Sequence, residues 1–290
     1  MATFENLVEE VLLKLEGYSA DQGIYGTLTN SITSTDTTFL VDGAIVNNDN
    51  SGFSTGLIEI DEELINCRYI NTVTGEFSGV LRGFRSSTAT AHDAGTIVRN
   101  NPKYPRVAIK RAINDTIEQL HPHIMAIKKT EIYLVGGQIQ YDLPEDANGV
   151  ISVQLEELGA TNSWTDLKYW RFDSTGASNS STGKIIDIPG GWAGRRVQVV
   201  YTVLPATLET GNTFGLTGLP DWTRELVVIG ACWRVASFVE SANLASGTVG
   251  QLAGQQTNLS KYFLGMYSQL LSEGEARQRL EFPVRRHFVY

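Results

Sequence analysis

The stretch from Lys103 to Leu120 constrains the fold more than any other part of the sequence. Its apolar residues recur at the spacing of one face of an α-helix, at Ile109, Ile113, Ile117 and Leu120. Pro105 suits the first helical turn and Pro122 cannot continue the run. The stretch therefore predicts a central helix whose apolar face must be buried against another element.

Three further stretches predict helices with apolar faces. The first runs from Thr3 to about Glu16, with Gly17 as its end. The second follows Asp221 and leaves little polar face, and the third ends near Gly274. Because all four helices have apolar faces to bury, we expect an α+β fold whose hub is a helical bundle formed from the N-terminal, central and C-terminal helices.

Two regions between these helices favour strands. Short apolar runs punctuated by Gly, Asn, Asp, Ser and Thr fill residues 21–100, and alternating runs with a Gly136-Gly137 hairpin signal fill residues 130–216. We expect two inserted all-β modules, each a barrel or a sandwich. The predicted order is an N-terminal hub helix (1–20), the first β module (21–100), the central hub helix (101–129), the second β module (130–216), the C-terminal hub helices (217–274) and an extended tail (275–290).

Composition excludes several classes of protein. The chain has 290 residues and a formal net charge of −9, which argues against a general grip on nucleic acid phosphates. No apolar run approaches the roughly 20 residues that span a bilayer, and the acidic N-terminal helix is not a signal peptide. Cys67 and Cys232 match no ligand spacing and predict two reduced thiols in a protein made in a cytoplasm.

No stretch predicts an enzyme, a metal site or a cofactor site. The triplet Asp61-Glu62-Glu63 lies between two strand-like runs and favours a solvated turn, and His92-Asp93 favours a turn that enters a strand. His121 and His123 mark the exit of the central helix. A cell-wall hydrolase would need paired carboxylates or a metal at working spacing, which the sequence does not offer. The pair Tyr169-Trp170 could stack a sugar, although strand aromatics more often serve packing.

The C-terminal segment is the best candidate for a binding role. Residues 275–290 alternate apolar and cationic side chains, unlike an ordinary disordered terminus, and Pro283 favours an extended chain. We expect this tail to be mobile in the free protein and to become ordered on a partner. The predicted docking residues are Arg277, Arg279, Leu280, Phe282, Val284, Arg285, Arg286, Phe288 and Tyr290.

Two groups of motifs resemble phage structural proteins. The first group, Gly56–Ile65, Gly79–Arg85 and Thr88–Val98, resembles a small β module found in structural proteins of tailed bacteriophages. The second group is similar to neck proteins of the head-to-tail adaptor type, and it comprises Tyr141–Pro144, Val197–Pro205, Leu219–Trp222 and Gly230-Ala231. The shorter adaptors are mainly a helical bundle with a C-terminal extension, from which this chain departs in its two β modules.

The resemblance implies a head-to-tail connector in the virion neck. Such proteins form a ring, typically a dodecamer, between the portal and the tail or nozzle proteins, and DNA passes through the ring without sequence-specific binding. The resemblance also implies that the C-terminal tail docks on the portal protein. The alternative is a receptor- or glycan-binding β module protein of the phage tail, for which a helical hub would be unnecessary.

Overall fold

The computed structural model describes residues 2–17, 24–42, 53–159, 163–176, 180–190, 192–245 and 253–282, without the side chains of residues 242–245 and 253–258. The chain divides into two compact units. The barrel unit comprises Glu5–Ile113 and Val228–Leu264, and the sheet unit comprises Met1–Phe4, Asn114–Val227 and Gly265–Tyr290. Within the described ranges, no helix has both the length and the apolar character needed to cross a membrane.

The barrel unit contains six antiparallel strands that close into a barrel in the order β1-β2-β5-β4-β3-β6. The strands are β1 (Ile24–Leu28), β2 (Phe39–Asp42), β3 (Gly56–Ile60), β4 (Glu63–Asn71), β5 (Glu76–Leu81) and β6 (Ile97–Asn100). The barrel closes because β1 pairs with β6, with Ile24 opposite Asn100. Phe77 lies in the barrel core, stacked on Phe39 at 5.2 Å between ring centroids and edge-on to Phe53 at 5.8 Å.

Four α-helices accompany the strands: α1 (Phe4–Glu16), α2 (Arg106–Leu120), α3 (Arg224–Ala245) and α4 (Ala253–Glu281). The predicted stripe of α2 is buried at all four positions, and α1 buries Leu7, Val8 and Val11. In the barrel unit, Cys232 of α3 lies with its Sγ 3.9 Å from the carbonyl oxygen of Val11. The apolar stripes therefore identify buried helical faces.

The prediction of an α+β fold with a helical bundle hub is wrong. In the described part of the chain the architecture is mostly β, with thirteen strands arranged in a closed barrel and two further sheets, and only four α-helices. A stripe shows that a helical face is covered, but it does not show what covers it. The apolar side chains of α3 are buried in its first half, at Leu226, Ile229 and Val235, whereas Phe238 is 79% exposed.

The sheet unit contains seven strands in two antiparallel sheets. The four-stranded sheet has the order β10-β9-β13-β7 and the three-stranded sheet has the order β11-β12-β8. Their bounds are β7 (Ala126–Tyr133), β8 (Gln140–Asp142), β9 (Gly149–Glu156), β10 (Trp164–Asp166), β11 (Arg171–Asp173), β12 (Ile185–Asp187) and β13 (Arg196–Val203). β13 lies at the centre of the larger sheet, and Val197, Val199 and Tyr201 are buried on one of its faces.

The prediction of an extended tail is also wrong for residues 275–281. α4 does not end near Gly274 but continues to Glu281, so residues 275–281 are helical. Two pairs at i,i+4 spacing support these turns, Arg279 with Glu275 and Arg277 with Glu281. A glycine does not end a helix by itself, since it costs only about 1 kcal/mol in a helix interior. Residues 283–290 lie outside the described part of the chain.

Candidate functional site

The described part of the predicted docking segment forms the last turns of α4 and the residue after it. Leu280 is 84% exposed, and the side chain of Arg279 is largely exposed. Arg277 donates from Nε to Glu281 Oε1 at 3.1 Å. Phe282 follows the helix, is half-buried and donates its N–H to the carbonyl oxygen of Gln278 at 2.9 Å. The segment thus offers one exposed apolar side chain beside two arginines.

Gln278 fixes the end of α4 to the chain segment that leads into β7. Its Oε1 accepts a hydrogen bond from the N–H of Met125 at 2.9 Å, and its Nε2 donates to the carbonyl oxygen of Met125 at 2.8 Å. One side-chain amide thus satisfies both backbone groups of the same residue. Nearby, Glu275 Oε1 lies 2.7 Å from Nδ1 of His123. The predicted helix exit at His121–His123 therefore lies against the end of α4.

Trp222 supports the same end of α4. The guanidinium carbon of Arg277 lies 5.1 Å from the centroid of the indole ring, within the range of a cation–π contact. A Cβ atom on Gly274 would lie 2.8 Å from Trp222 Cζ3 and 3.0 Å from Ile124 Cδ1. The helix can approach the indole this closely because position 274 is glycine.

A groove opens beside the residue at which the described chain ends. It has a volume of about 220 Å³ and spans the four-stranded sheet from Lys129 on β7 to Asp166 on β10. Phe282 and Glu281 form part of its wall. The rest of the lining consists of Ile151, Ser152, Val153, Gln154, Leu167, Trp170 and Val200. The groove combines an aromatic and aliphatic lining with carboxylates and one lysine.

The structure does not test the remaining predicted docking residues. Val284, Arg285, Arg286, Phe288 and Tyr290 lie outside the described part of the chain. The predicted sugar-stacking pair does not act as one platform, because Tyr169 is 85% exposed whereas Trp170 is half-buried and lines the groove. Tyr169 also has a positive φ of 67°, which is uncommon for a bulky residue.

The interpretation of Asp61-Glu62-Glu63 as a solvated turn is wrong for its last member. Asp61 and Glu62 form the turn between β3 and β4, but Glu63 begins β4 and is 1% exposed. Arg82 donates to it from Nε and Nη2, at 2.7 Å each. His92, interpreted as a turn residue, is also buried, with Nε2 2.9 Å from Glu63 Oε2 and Nδ1 2.8 Å from Asp61 Oδ2.

The surroundings of Glu63 keep it ionised. Burial alone would raise the pKa of Glu63, but hydrogen bonds from Arg82, from His92 and from the backbone N–H groups of Gly83 and Thr90 together lower it to about 2. Both carboxylate oxygens are occupied by donors. A carboxylate with such a low pKa is a poor general base, so this cluster stabilises the barrel rather than offering a proton acceptor.

A second buried pair lies beside a cavity of the barrel unit. Arg99 donates from Nη1 to Glu59 Oε2 at 2.8 Å and from Nη2 to Glu16 Oε1 at 3.3 Å. The N–H of Arg106 donates to Glu59 Oε1 at 2.5 Å. Burial raises the pKa of Glu59 despite these partners. The cavity, of about 570 Å³, has exposed Leu13, Tyr25 and Ile97 on its walls, and its acidic groups are already paired.

Sequence reasoning missed the residues that create these contacts. Gln278 carried no signal, and Trp222 was noted only within the motif Leu219–Trp222. Their partners are backbone groups and a glycine far away in sequence, which local patterns do not show. Glu59 lies in a predicted strand, yet it is buried between Ile58 and Ile60 where strict alternation would expose it. No group of His, Cys, Asp and Glu in the described residues has the arrangement to hold a metal ion.

Comparison with known proteins identifies a family for this chain. A search of curated proteins finds no match. The family model described as SU10 adaptor protein matches residues 88–286, which is more than half of the chain. The match includes the last barrel strand, the whole of the β-rich region after α2, and both α3 and α4. The chain therefore belongs to the SU10 adaptor protein family, a family of phage adaptor proteins.

Proposed function

We propose that this protein is a structural head-to-tail connector of the virion neck and not an enzyme. It is made in the host cytoplasm, and its copies assemble into a ring, with a dodecamer as the expected size, between the portal and the tail or nozzle proteins. DNA passes through the lumen of the ring, and the C-terminal segment docks on the portal. A closed ring requires a heterologous interface, in which two different surfaces of each copy meet.

The observation that carries the proposal is the anchored end of α4. Gln278 ties the helix to the backbone of Met125, and Trp222 contacts both Arg277 and Gly274. Phe282, the last described residue, therefore follows a helix end that is fixed on the sheet unit. Fixing the origin of a docking segment lowers the conformational entropy that it loses on binding. Arg285 and Arg286 supply charge for orientation, while Phe288 and Tyr290 supply apolar contact area.

The test compares charge reversal in the segment with charge reversal elsewhere. In the full-length protein, Arg285→Glu combined with Arg286→Glu should abolish binding to purified portal rings, while a cooperative thermal transition shows that the variant is still folded. Arg68→Glu is the control, because Arg68 is exposed on barrel strand β4, and it should bind portal like the wild type. Undiminished portal binding by the double variant would exclude the segment as the docking element.

The proposed passage of DNA does not require tight binding. Because the net charge is −9, we propose a lumen that DNA slides past without gripping. Protein–DNA affinity that depends on several phosphate contacts falls by about 10³–10⁵ between 50 and 200 mM salt. Fluorescence anisotropy with duplex DNA should therefore show only weak binding at low salt, and tight binding with a steep salt dependence would contradict the proposal.

One observation favours a second function, glycan binding by a β module of the phage tail. Tyr169 is 85% exposed at a positive φ, and unusual backbone conformations of this kind concentrate at functional sites. If this alternative holds, glycan-array binding should be present in the wild type and lost in Tyr169→Ala. Portal binding should then be absent from both proteins, which separates the two functions.

A further inference from the structure

The groove beside Phe282 has no assigned occupant, and its location suggests one. Its lining spans all four strands of the sheet from Lys129 to Asp166, and the last described residue forms part of its wall. Eight residues, 283–290, follow Phe282 in the sequence. The chain therefore continues from the edge of a partly apolar groove.

We propose that this groove binds residues 283–290 of the same chain in the unassembled subunit. The inference concerns the subunit before assembly, and it stands whether or not the segment later docks on a portal. It replaces, for these residues, the expectation from sequence that the free tail is mobile.

The length of the segment fits the groove. Adjacent strands lie about 4.8 Å apart, so the three gaps of a four-stranded sheet span roughly 14 Å. Eight extended residues reach about 26–29 Å. The segment can therefore cross the whole sheet with several residues remaining, and no movement of α4 is needed.

The chemistry of the segment also fits the lining. Trp170, Leu167 and Val200 offer apolar surface to a segment that contains Val284, Phe288 and Tyr290. The groove carries the carboxylates of Asp166 and Glu281 against the single cation of Lys129. These carboxylates already accept hydrogen bonds from Gln154 Nε2 and Arg277 Nε, but a carboxylate has about four acceptor sites. Arg285 and Arg286 can meet these carboxylates through charge-assisted hydrogen bonds.

Covalent continuity favours the same chain over another copy. A segment joined to its site through a short linker experiences an effective concentration in the mM range, roughly. The segment of a neighbouring subunit is present at a concentration about a thousandfold lower under typical laboratory conditions. Even a groove that binds weakly therefore holds the segment of its own chain.

The experiment measures access to the C-terminus of the full-length protein. Release of Tyr290 by a carboxypeptidase should be about tenfold slower than from a synthetic peptide of residues 283–290, which corresponds to about 1.4 kcal/mol of docking free energy. Trp170→Ala removes apolar surface from the lining, and Asp166→Lys reverses a carboxylate on the exposed rim. Both variants should release Tyr290 at the rate of the free peptide.

Two control variants and a dilution series complete the test. Tyr133→Ala changes an exposed aromatic on β7 that does not line the groove, and Glu76→Lys reverses an exposed charge on β5. Both should keep the slow release. Release from the wild type at the free-peptide rate would overturn the proposal, as would slow release in Asp166→Lys. Protection that disappears on dilution would assign the groove to a neighbouring copy and would also overturn it.

Discussion

Gly274 and Trp222 are packed so closely that the glycine has no room for a methyl group on its side facing the indole. A Cβ atom at position 274 would lie 2.8 Å from Trp222 Cζ3. Real Cβ atoms do not approach a carbon this closely, and Ile124 on the same side prevents an easy shift. The absence of a side chain at one position in α4 thus sets how near the helix lies to the indole.

Gly274→Ala should therefore destabilise the protein, although alanine is the better helix former. We expect a loss of about 1–3 kcal/mol from overpacking. Gly265→Ala in the same helix is the matched control, because a Cβ there meets nothing within 4 Å, and it should stabilise the protein by about 0.5–1 kcal/mol. Denaturant midpoints measure both, and stabilisation by both substitutions would contradict the packing.

Gln278→Ala should also lower stability. The substitution leaves the N–H and carbonyl groups of Met125 without their partner, and a half-buried polar group left unpaired costs about 1–3 kcal/mol. The control is Gln269→Ala, since Gln269 makes only an exposed contact with Glu273 and surface substitutions usually stay within about 0.5 kcal/mol. Equal urea midpoints for the two variants would show that the Met125 contact contributes nothing.

Acid should weaken the barrel through Glu63. Its pKa is lowered to about 2 from an ordinary value of 4.5, so the stabilisation is fully present above pH 4.5 and is lost as pH falls from 4.5 towards 2. The shift corresponds to about 3 kcal/mol. At pH 6 the urea midpoint of Glu63→Gln should lie well below that of the wild type. The difference between the two midpoints should narrow as the pH falls below 4.5.

Asp61→Asn provides the comparison for that experiment. The side chain of Asp61 is 60% exposed, whereas its partner His92 is buried, and asparagine keeps a side-chain oxygen at hydrogen-bonding distance from His92 Nδ1. Asparagine also tolerates the positive φ of 52° at this position. The urea midpoint of Asp61→Asn should therefore lie close to that of the wild type at each pH. A pH-independent gap between Glu63→Gln and the wild type would refute the assignment of the pH dependence to Glu63.

Both thiols should resist modification in the folded protein. Cys67 and Cys232 are 1% and 0% exposed, and burial raises the pKa of each to about 12. The reactive thiolate is therefore scarce at pH 8. Ellman's reagent should react slowly with the native protein and rapidly after denaturation in guanidinium. Rapid reaction of one thiol in the native state would show that its element opens locally.

Local signals in the sequence located many of the elements. Gly17 marked the end of α1, and it has a φ of 65° with its N–H bonded to the carbonyl oxygen of Leu13. The two strand-like runs predicted on either side of the triplet Asp61-Glu62-Glu63 correspond to β3 and β4. These features depend on neighbours within a few residues, and such neighbours are visible in a linear sequence.

Features that depend on distant partners could not be predicted. Glu63 can be buried because its carboxylate is hydrogen-bonded to Arg82 and His92, which lie 19 and 29 residues away. Gly274 does not end α4. The missing side chain at this position instead leaves room for the indole ring of Trp222 against the helix. The apolar and cationic character of the C-terminal segment was visible, but the groove was not, since its lining comes from four strands that are scattered along the chain.

The closure of the barrel bears on how such a chain could have been assembled. Ile24 at the start of the barrel lies opposite Asn100 at its end, so the chain enters and leaves the module at adjacent points. A module with neighbouring ends can be inserted into a host chain without moving the flanking segments apart. The closed barrel also presents no free strand edge to neighbouring proteins. The family match begins at residue 88, so five of the six barrel strands lie outside the matched residues.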